Sequence, residues 1–218
     1  VNDTTRTITY AAVALIAVLI AWEPWNSVED VQQSAAGDKL FADFKDPAAA
    51  KSLEIVRFDE ASGEIEPFKV AQVGGVWSIP SHQNYPADAV SHLAEAATSV
   101  MDLEILGVAS NNPGDQEEYG VKDPQSKDVR AGAVGVGTRV IMRDDKDKVL
   151  ADLIIGKADK DRPDLRFVRD ARHDQIYRVA VKSGKLSTKF GDWIEKDLLK
   201  LNAFDVRGVE LNDYSANP

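Results

Sequence analysis

Residues 138–156 read Thr-Arg-Val-Ile-Met-Arg-Asp-Asp-Lys-Asp-Lys-Val-Leu-Ala-Asp-Leu-Ile-Ile-Gly. Two apolar, β-branched runs, Thr138–Arg143 and Val149–Ile155, flank Asp144-Asp145-Lys146-Asp147, a polar stretch too short for a helix. The pattern is that of adjacent strands joined by a tight turn, and it continues in both directions. Downstream, Leu165–Arg169 and Gln175–Val181 are further strands, with turns at Gly156 and Arg172-His173-Asp174. Upstream, Leu53–Phe58 is bounded by Asp59 and Ser62-Gly63, while Glu66–Gln72 and Val76–Ile79 form a hairpin split by Gly74-Gly75. Two glycines permit the positive φ values that such a turn needs.

Helical spacing occurs in two places. Pro86 opens the first helix with Asp88 in its first turn, and Val90, Leu93, Ala94, Ala97, Val100 and Met101 form its apolar face. The second is expected over about Leu186–Leu199, with Leu186, Phe190, Trp193, Ile194 and Leu198 on one side. Between them lie the short apolar run Leu103–Val108, the loop Asn111-Asn112-Pro113-Gly114 and the turn Tyr119–Pro124. A strand is expected at Val206–Leu211. Segregated runs of strands and helices indicate an α+β fold with a mainly antiparallel sheet and two helices.

Ahead of this domain stands a different kind of segment. Ile8–Trp22 reads ITYAAVALIAVLIAW, 15 residues with Thr9 as the clearly polar side chain. Its helical length is roughly 22 Å, and threonines before it with Tyr10, Trp22 and Trp25 at headgroup level extend the span. A cleaved signal peptide would want a basic start and a small-x-small site, which Ala21-Trp22-Glu23-Pro24-Trp25 does not offer. A buried core helix would show some polar face. The retained single-span anchor is the favoured reading, carried by Ile8, Tyr10, Ala14, Ala17, Ala21, Trp22 and Trp25. Ala17 and Ala21 make a small-xxx-small pair suited to packing against another membrane helix, although alanine is common in short spans. Arg6 before the span, against Glu23, Glu29 and Asp30 after it, votes for a cytoplasmic amino terminus and an extracytoplasmic bulk.

The expected organisation is therefore an anchor at 1–25, a juxtamembrane linker at 26–50 with an apolar patch at Leu40, Phe41 and Phe44, and an α+β domain at 51–203. The approach Ala50–Asp59 is echoed in pattern by Phe204–Asp213, so residues 204–218 read as the first strand of a second repeat in a longer protein.

The totals limit function. Lys and Arg number 26 against 36 Asp and Glu, a formal charge of −10, of which residues 1–25 carry −1 through Asp3, Arg6 and Glu23. An acidic ectodomain argues against sequence-independent binding to nucleic acid. The absence of cysteine removes disulfides, thiolate catalysis and Cys-ligated zinc. His82, His92 and His173 are not at metal-ligand spacing. Ser81-His82 with Asp88 can be drawn as a triad, but neighbouring side chains rarely converge as nucleophile and base, and a polar loop is the better reading. Gly132–Gly137 lacks the Gly-Lys-Ser/Thr of a phosphate loop, and Asp144, Asp145 and Asp147 lack calcium-loop spacing. Asp159, Asp161 and Asp164, interleaved with Lys160 and Arg162, read as a solvated loop. No cofactor and no catalytic set is expected.

Taken together, Trp77-Ser78-Ile79-Pro80, Tyr85-Pro86-Ala87-Asp88, Tyr119-Gly120-Val121-Lys122-Asp123-Pro124, Leu153-Ile154-Ile155-Gly156-Lys157, Phe167-Val168-Arg169, Ile176-Tyr177-Arg178-Val179 and Trp193–Leu199 resemble the family called domain of unknown function 4340, over about residues 50–212. The resemblance implies a membrane-anchored, extracytoplasmic protein, often encoded beside gliding-motility-type ABC exporters, with no known catalytic residues. The expected function is a non-enzymatic accessory subunit in the inner (cytoplasmic) membrane. Residues 8–22 would lie in the bilayer against integral membrane partners, with room for a homo-oligomer and no nucleic acid. The alternative is a periplasmic ligand- or glycan-binding module on a tether.

Overall fold

The structure is a computed structural model that describes residues 36–196, residue 204 and residues 207–210. The segment 8–22 and its anchor residues Ile8, Tyr10, Ala14, Ala17, Ala21, Trp22 and Trp25 lie outside the described residues. Among the described residues, no helix is long and apolar enough to cross a membrane.

Among the described residues, nine strands form one sheet: β1 (Ser52–Asp59), β2 (Glu64–Val73), β3 (Val76–Ile79), β4 (Tyr85–Pro86), β5 (Gly107–Ser110), β6 (Thr138–Arg143), β7 (Val149–Ala158), β8 (Arg166–Asp170) and β9 (Ile176–Val179). Their order is β4-β3-β2-β1-β6-β7-β8-β9-β5, and each pairing is antiparallel. The Gly-Gly turn adopts φ of +59° at Gly74 and +85° at Gly75, the two positive values expected of a two-residue hairpin loop.

Alternation along the strands sorts side chains to two faces. Leu53 and Ile55, Phe68 and Val70, Val140 and Met142, Leu153, Val168 and Val179 enter the main core. Helix α1 (Val90–Met101) lies over that core and buries Leu93, Ala96, Ala97 and Val100. On the opposite face Val121, Ile154, Phe167 and Ile176 make a smaller core. β7 is buried on both faces from Ala151 to Ile155, which explains why apolar residues occupy both of its faces around Asp152.

Four local expectations change. Helix α1 starts at Val90 instead of Pro86, because Tyr85 and Pro86 are held extended against Ile79 and Ser78 as an edge strand, where a missing N–H is tolerated. The stretch read as a linker is docked from residue 36 onward: Gly37 N–H donates to Ile105 O at 2.8 Å, and Phe41 and Phe44 are buried in the main core. The second helix, α2, is the single turn Gln116–Tyr119, not Leu186–Leu199. Residues 186–196 instead hold a 3-10 turn at Phe190–Asp192, and 197–199 lie outside the described residues. Ser187 is the reason: its hydroxyl donates to Asp192 at 2.6 Å and accepts from Lys189 N at 3.1 Å, while its carbonyl accepts the Trp193 indole N–H at 3.0 Å. These local bonds compete with helix, Gly191 weakens it further, and Trp193 becomes fully buried. At Val206–Leu211, residues 207–210 carry no strand, and the flanking positions lie outside the described residues.

Candidate functional site

The strand registers gather several turns at one end of the sheet. β2 ends and β3 begins there, β6 ends beside Ser52, β7 begins, and the β8–β9 turn follows Asp170. The chain enters the sheet from the same end, because β1 begins there at Ser52, with the Lys51 N–H just ahead of it donating to Arg143 O at 2.8 Å. Between residues 39–43 and the turns at 148–150 and 170–175 lies a cleft of about 460 Å³.

Charge of both signs lines this cleft, over a floor that includes Ile105, Leu150 and Tyr177. Asp170 is its buried anion. Arg172 donates to Asp170 through Nε at 3.0 Å, Nη2 at 2.7 Å and the backbone N–H at 2.9 Å, and His173 Nδ1 stands 3.5 Å away. Burial alone would raise the Asp170 carboxyl, but these hydrogen bonds and the Arg172 charge hold it below the usual range. The Tyr177 hydroxyl donates to Gln175 Oε1 at 2.6 Å, and burial, helped by the Asp170 charge, pushes the phenol up. Lys39 is paired with Asp102 at 3.0 Å, and Lys148 and Asp43 also line the cleft. Near neutral pH, Asp170 is thus an acceptor already engaged and Tyr177 a donor that keeps its proton. The arrangement suits recognition of a polar chain with apolar side groups.

On the other face, charges brace the loop between α2 and β6. Arg139 grips Asp152 through Nε at 2.9 Å and Nη2 at 2.7 Å, and its Nη1 reaches Asp123 and Gln125, each at 3.0 Å. Hydrogen bonding to Asp152 raises the Arg139 guanidinium against the effect of burial. Arg169, buried beneath the loop, donates to Val121 O at 3.3 Å, Ala171 O at 3.3 Å and His173 O at 3.0 Å. Gly156 lets the loop approach: a Cβ there would fall against Tyr119 O and 2.7 Å from Val121 Cγ1. Lys157 then donates to Glu117 O at 3.2 Å and Glu118 O at 2.8 Å, satisfying carbonyls at the end of α2.

The residues weighed for chemistry are placed as follows. Ser81 Oγ and His82 Nδ1 are 3.1 Å apart, but Ser81 Oγ also accepts from Lys69 N, and the His82 ring stacks on Phe190 with centroids 4.9 Å apart. Asp88 does not join them; its N–H donates to Trp193 O. Gly132–Gly137 carries the loop back to β6, with Gly137 N–H donating to Lys122 O at 2.9 Å. Asp144 accepts from the backbone of Lys146 and Lys148 within its turn. Asp159 is buried and bonded to Arg178 at 2.9 Å, unlike the solvated loop expected of it, while Asp164 is exposed beside Arg162. No group of three metal-ligating side chains occurs among the described residues. Sequence reasoning missed the cleft, because one wall of it, residues 39–43, comes from a stretch read as tether. The apolar patch Leu40-Phe41-Phe44 was the signal that could have found it.

The family model of the domain of unknown function (DUF4340) matches residues 77–217. The chain belongs to that family. No curated protein matches the chain, and no solved structure matches it. Within DUF4340 terms, the match begins at Trp77 in β3, so the docked segment 36–50, β1 and β2 all precede it. The cleft is built from the matched region, through Lys148, Asp170 and Tyr177, together with residues 39–43 ahead of it.

Proposed function

We propose that this DUF4340 protein is a membrane-anchored, non-enzymatic accessory subunit of a larger membrane complex, such as an ABC-type exporter, and that it acts through protein–protein contacts. Residues 8–22 serve as a single span in the inner membrane, the bulk lies on the extracytoplasmic side, and the cleft receives a segment of an integral membrane partner. The observation that carries this reading is the position of the cleft at the end of the sheet where the chain enters β1. A partner in the same membrane would meet that end first. The interior charges support it too: Arg139, Asp152, Arg169 and Asp170 are each committed to bonds that hold loops in place.

A glycan- or ligand-binding module gains less support. The aromatic residues that would line such a site pack instead, Tyr119 against Phe167 at 4.6 Å, Tyr85 against Phe190 at 5.1 Å and Trp77 on the main core. The test is purification of the full chain in mild detergent with identification of bound polypeptides. Stoichiometric membrane partners, reduced by Lys148→Glu, are expected. A monodisperse monomer without associated chains would overturn the proposal.

A further inference from the structure

Residues 70–87 are 18 consecutive positions without Asp, Glu, Lys or Arg, in a chain of which 28% is charged. Near their start is the β2–β3 hairpin tip Val73-Gly74-Gly75-Val76. Val73 is 63% exposed and Val76 is 64% exposed, and a Cβ built on either glycine would meet nothing within 4 Å. The tip therefore projects free of the domain, an apolar pair on a flat, side-chain-poor turn. Behind it, Trp77 is partly buried against the main core.

The registers put this tip at the end of the sheet where the chain enters: Gln72 N–H donates to Lys51 O at 2.9 Å, and Lys51 leads out of the docked segment 36–50. Only 14 positions separate Trp22 from Ala36, at most about 50 Å of extended chain. That tether keeps the domain within reach of the bilayer. An acidic domain is repelled by anionic headgroups, and an uncharged tip is the part that approaches without that penalty.

Resting on the anchor reading above, we infer that the Val73–Val76 hairpin tip is a second membrane contact that dips into the lipid headgroup region and orients the cleft toward partners in the membrane. Two valines and two glycines present no complementary shape or charge for a protein pocket, and lipid is the occupant that requires none.

The absence of native cysteine allows single-site labelling of the full chain. Val76→Cys, Ala17→Cys and Glu60→Cys, the last on the turn at the opposite end, are each labelled with an environment-sensitive fluorophore. They are reconstituted in phosphatidylcholine–phosphatidylglycerol vesicles containing a quencher at headgroup level or one deep in the acyl chains. The expected result is loss of fluorescence to the deep quencher at position 17, loss to the headgroup quencher with a blue shift at position 76, and neither at position 60. If position 17 is quenched while 76 behaves as 60, this inference is overturned and the anchor stands. Equal quenching at 60 and 76 also overturns it, because contact is then not confined to the tip. Absence of quenching at 17 overturns the anchor reading itself, and this inference with it.

Discussion

Phe44→Ala tests whether the segment before β1 is part of the domain. Phe44 is 2% exposed and sits in the main core with Phe41 and Ala50, under the same helix that covers the sheet. A phenylalanine buries at least about 150 Å², which at roughly 25 cal/mol per Å² corresponds to about 4 kcal/mol, within the ~3–5 kcal/mol seen for Phe→Ala in cores. A urea slope of about 2 kcal/mol per M converts that loss into a midpoint lowered by roughly 2 M. The assay is equilibrium urea unfolding followed by tryptophan fluorescence, in which the fully buried Trp193 reports on the core. Lys45→Ala, one residue on and exposed, is the control and should stay within about 0.5 kcal/mol of the parent. A Phe44→Ala midpoint within about 0.3 M of the parent would refute the packing argument, since a flexible linker predicts that result.

Gly156→Ala should destabilise by about 1–3 kcal/mol, because its Cβ presses on the backbone of Tyr119 and on Val121, atoms that cannot swing aside; thermal unfolding measures it. Arg139→Met should cost about 3 kcal/mol by stranding Asp152, and Arg139→Met with Asp152→Leu should recover most of that loss in urea titrations. For Asp170, the carboxyl is held below its unfolded value, so its contribution is complete above about pH 4 and is lost as pH falls through the folded value. The stability gap between the parent and Asp170→Asn should therefore be wide at pH 7 and close on acidification; a gap independent of pH would contradict the Arg172 bonding.

The antiparallel sheet was readable because its strands obey local rules. Thr138–Arg143 carries its boundaries in the adjoining charged turn, and Gly74-Gly75 announces two positive φ values directly. Helix α1 shows its apolar face at the right spacing, and only its first turn was misplaced. That error is non-local, since Pro86 is kept extended by its pairing with Ser78. The failure at 186–196 has a different cause. Helical spacing correctly picked Leu186 and Trp193 as buried, but periodicity cannot see a Ser187 side chain that satisfies backbone and carboxylate groups in place of helix hydrogen bonds.

The cleft was harder to foresee for a physical reason. Residues 39–43 and the turns at 148–150 and 170–175 are separated by more than a hundred residues, and each alone looks like ordinary turn or tether. Lys39 and Asp43 bear on Asp170 and Arg172 only because Gly37 and Leu40 hydrogen-bond to Ile105 and Leu103 and so hold the entering chain beside α1 and β5. The same non-locality explains why the motifs recognisable in sequence turned out to brace the fold. Tyr119-Gly120 and Gly156-Lys157 are two parts of one contact, the glycine supplying room for the loop and the lysine capping the carbonyls that the loop exposes. Arg169 then joins that contact to the turn carrying His173, at the edge of the cleft. Changes in the Tyr119–Val121 loop should consequently reach the cleft through Arg169 without touching any residue that lines it. If the cleft binds a partner, Val121→Ala should weaken that binding more than an equally destabilising change in the β1–β2 hairpin; equal effects would mean that Arg169 serves stability alone.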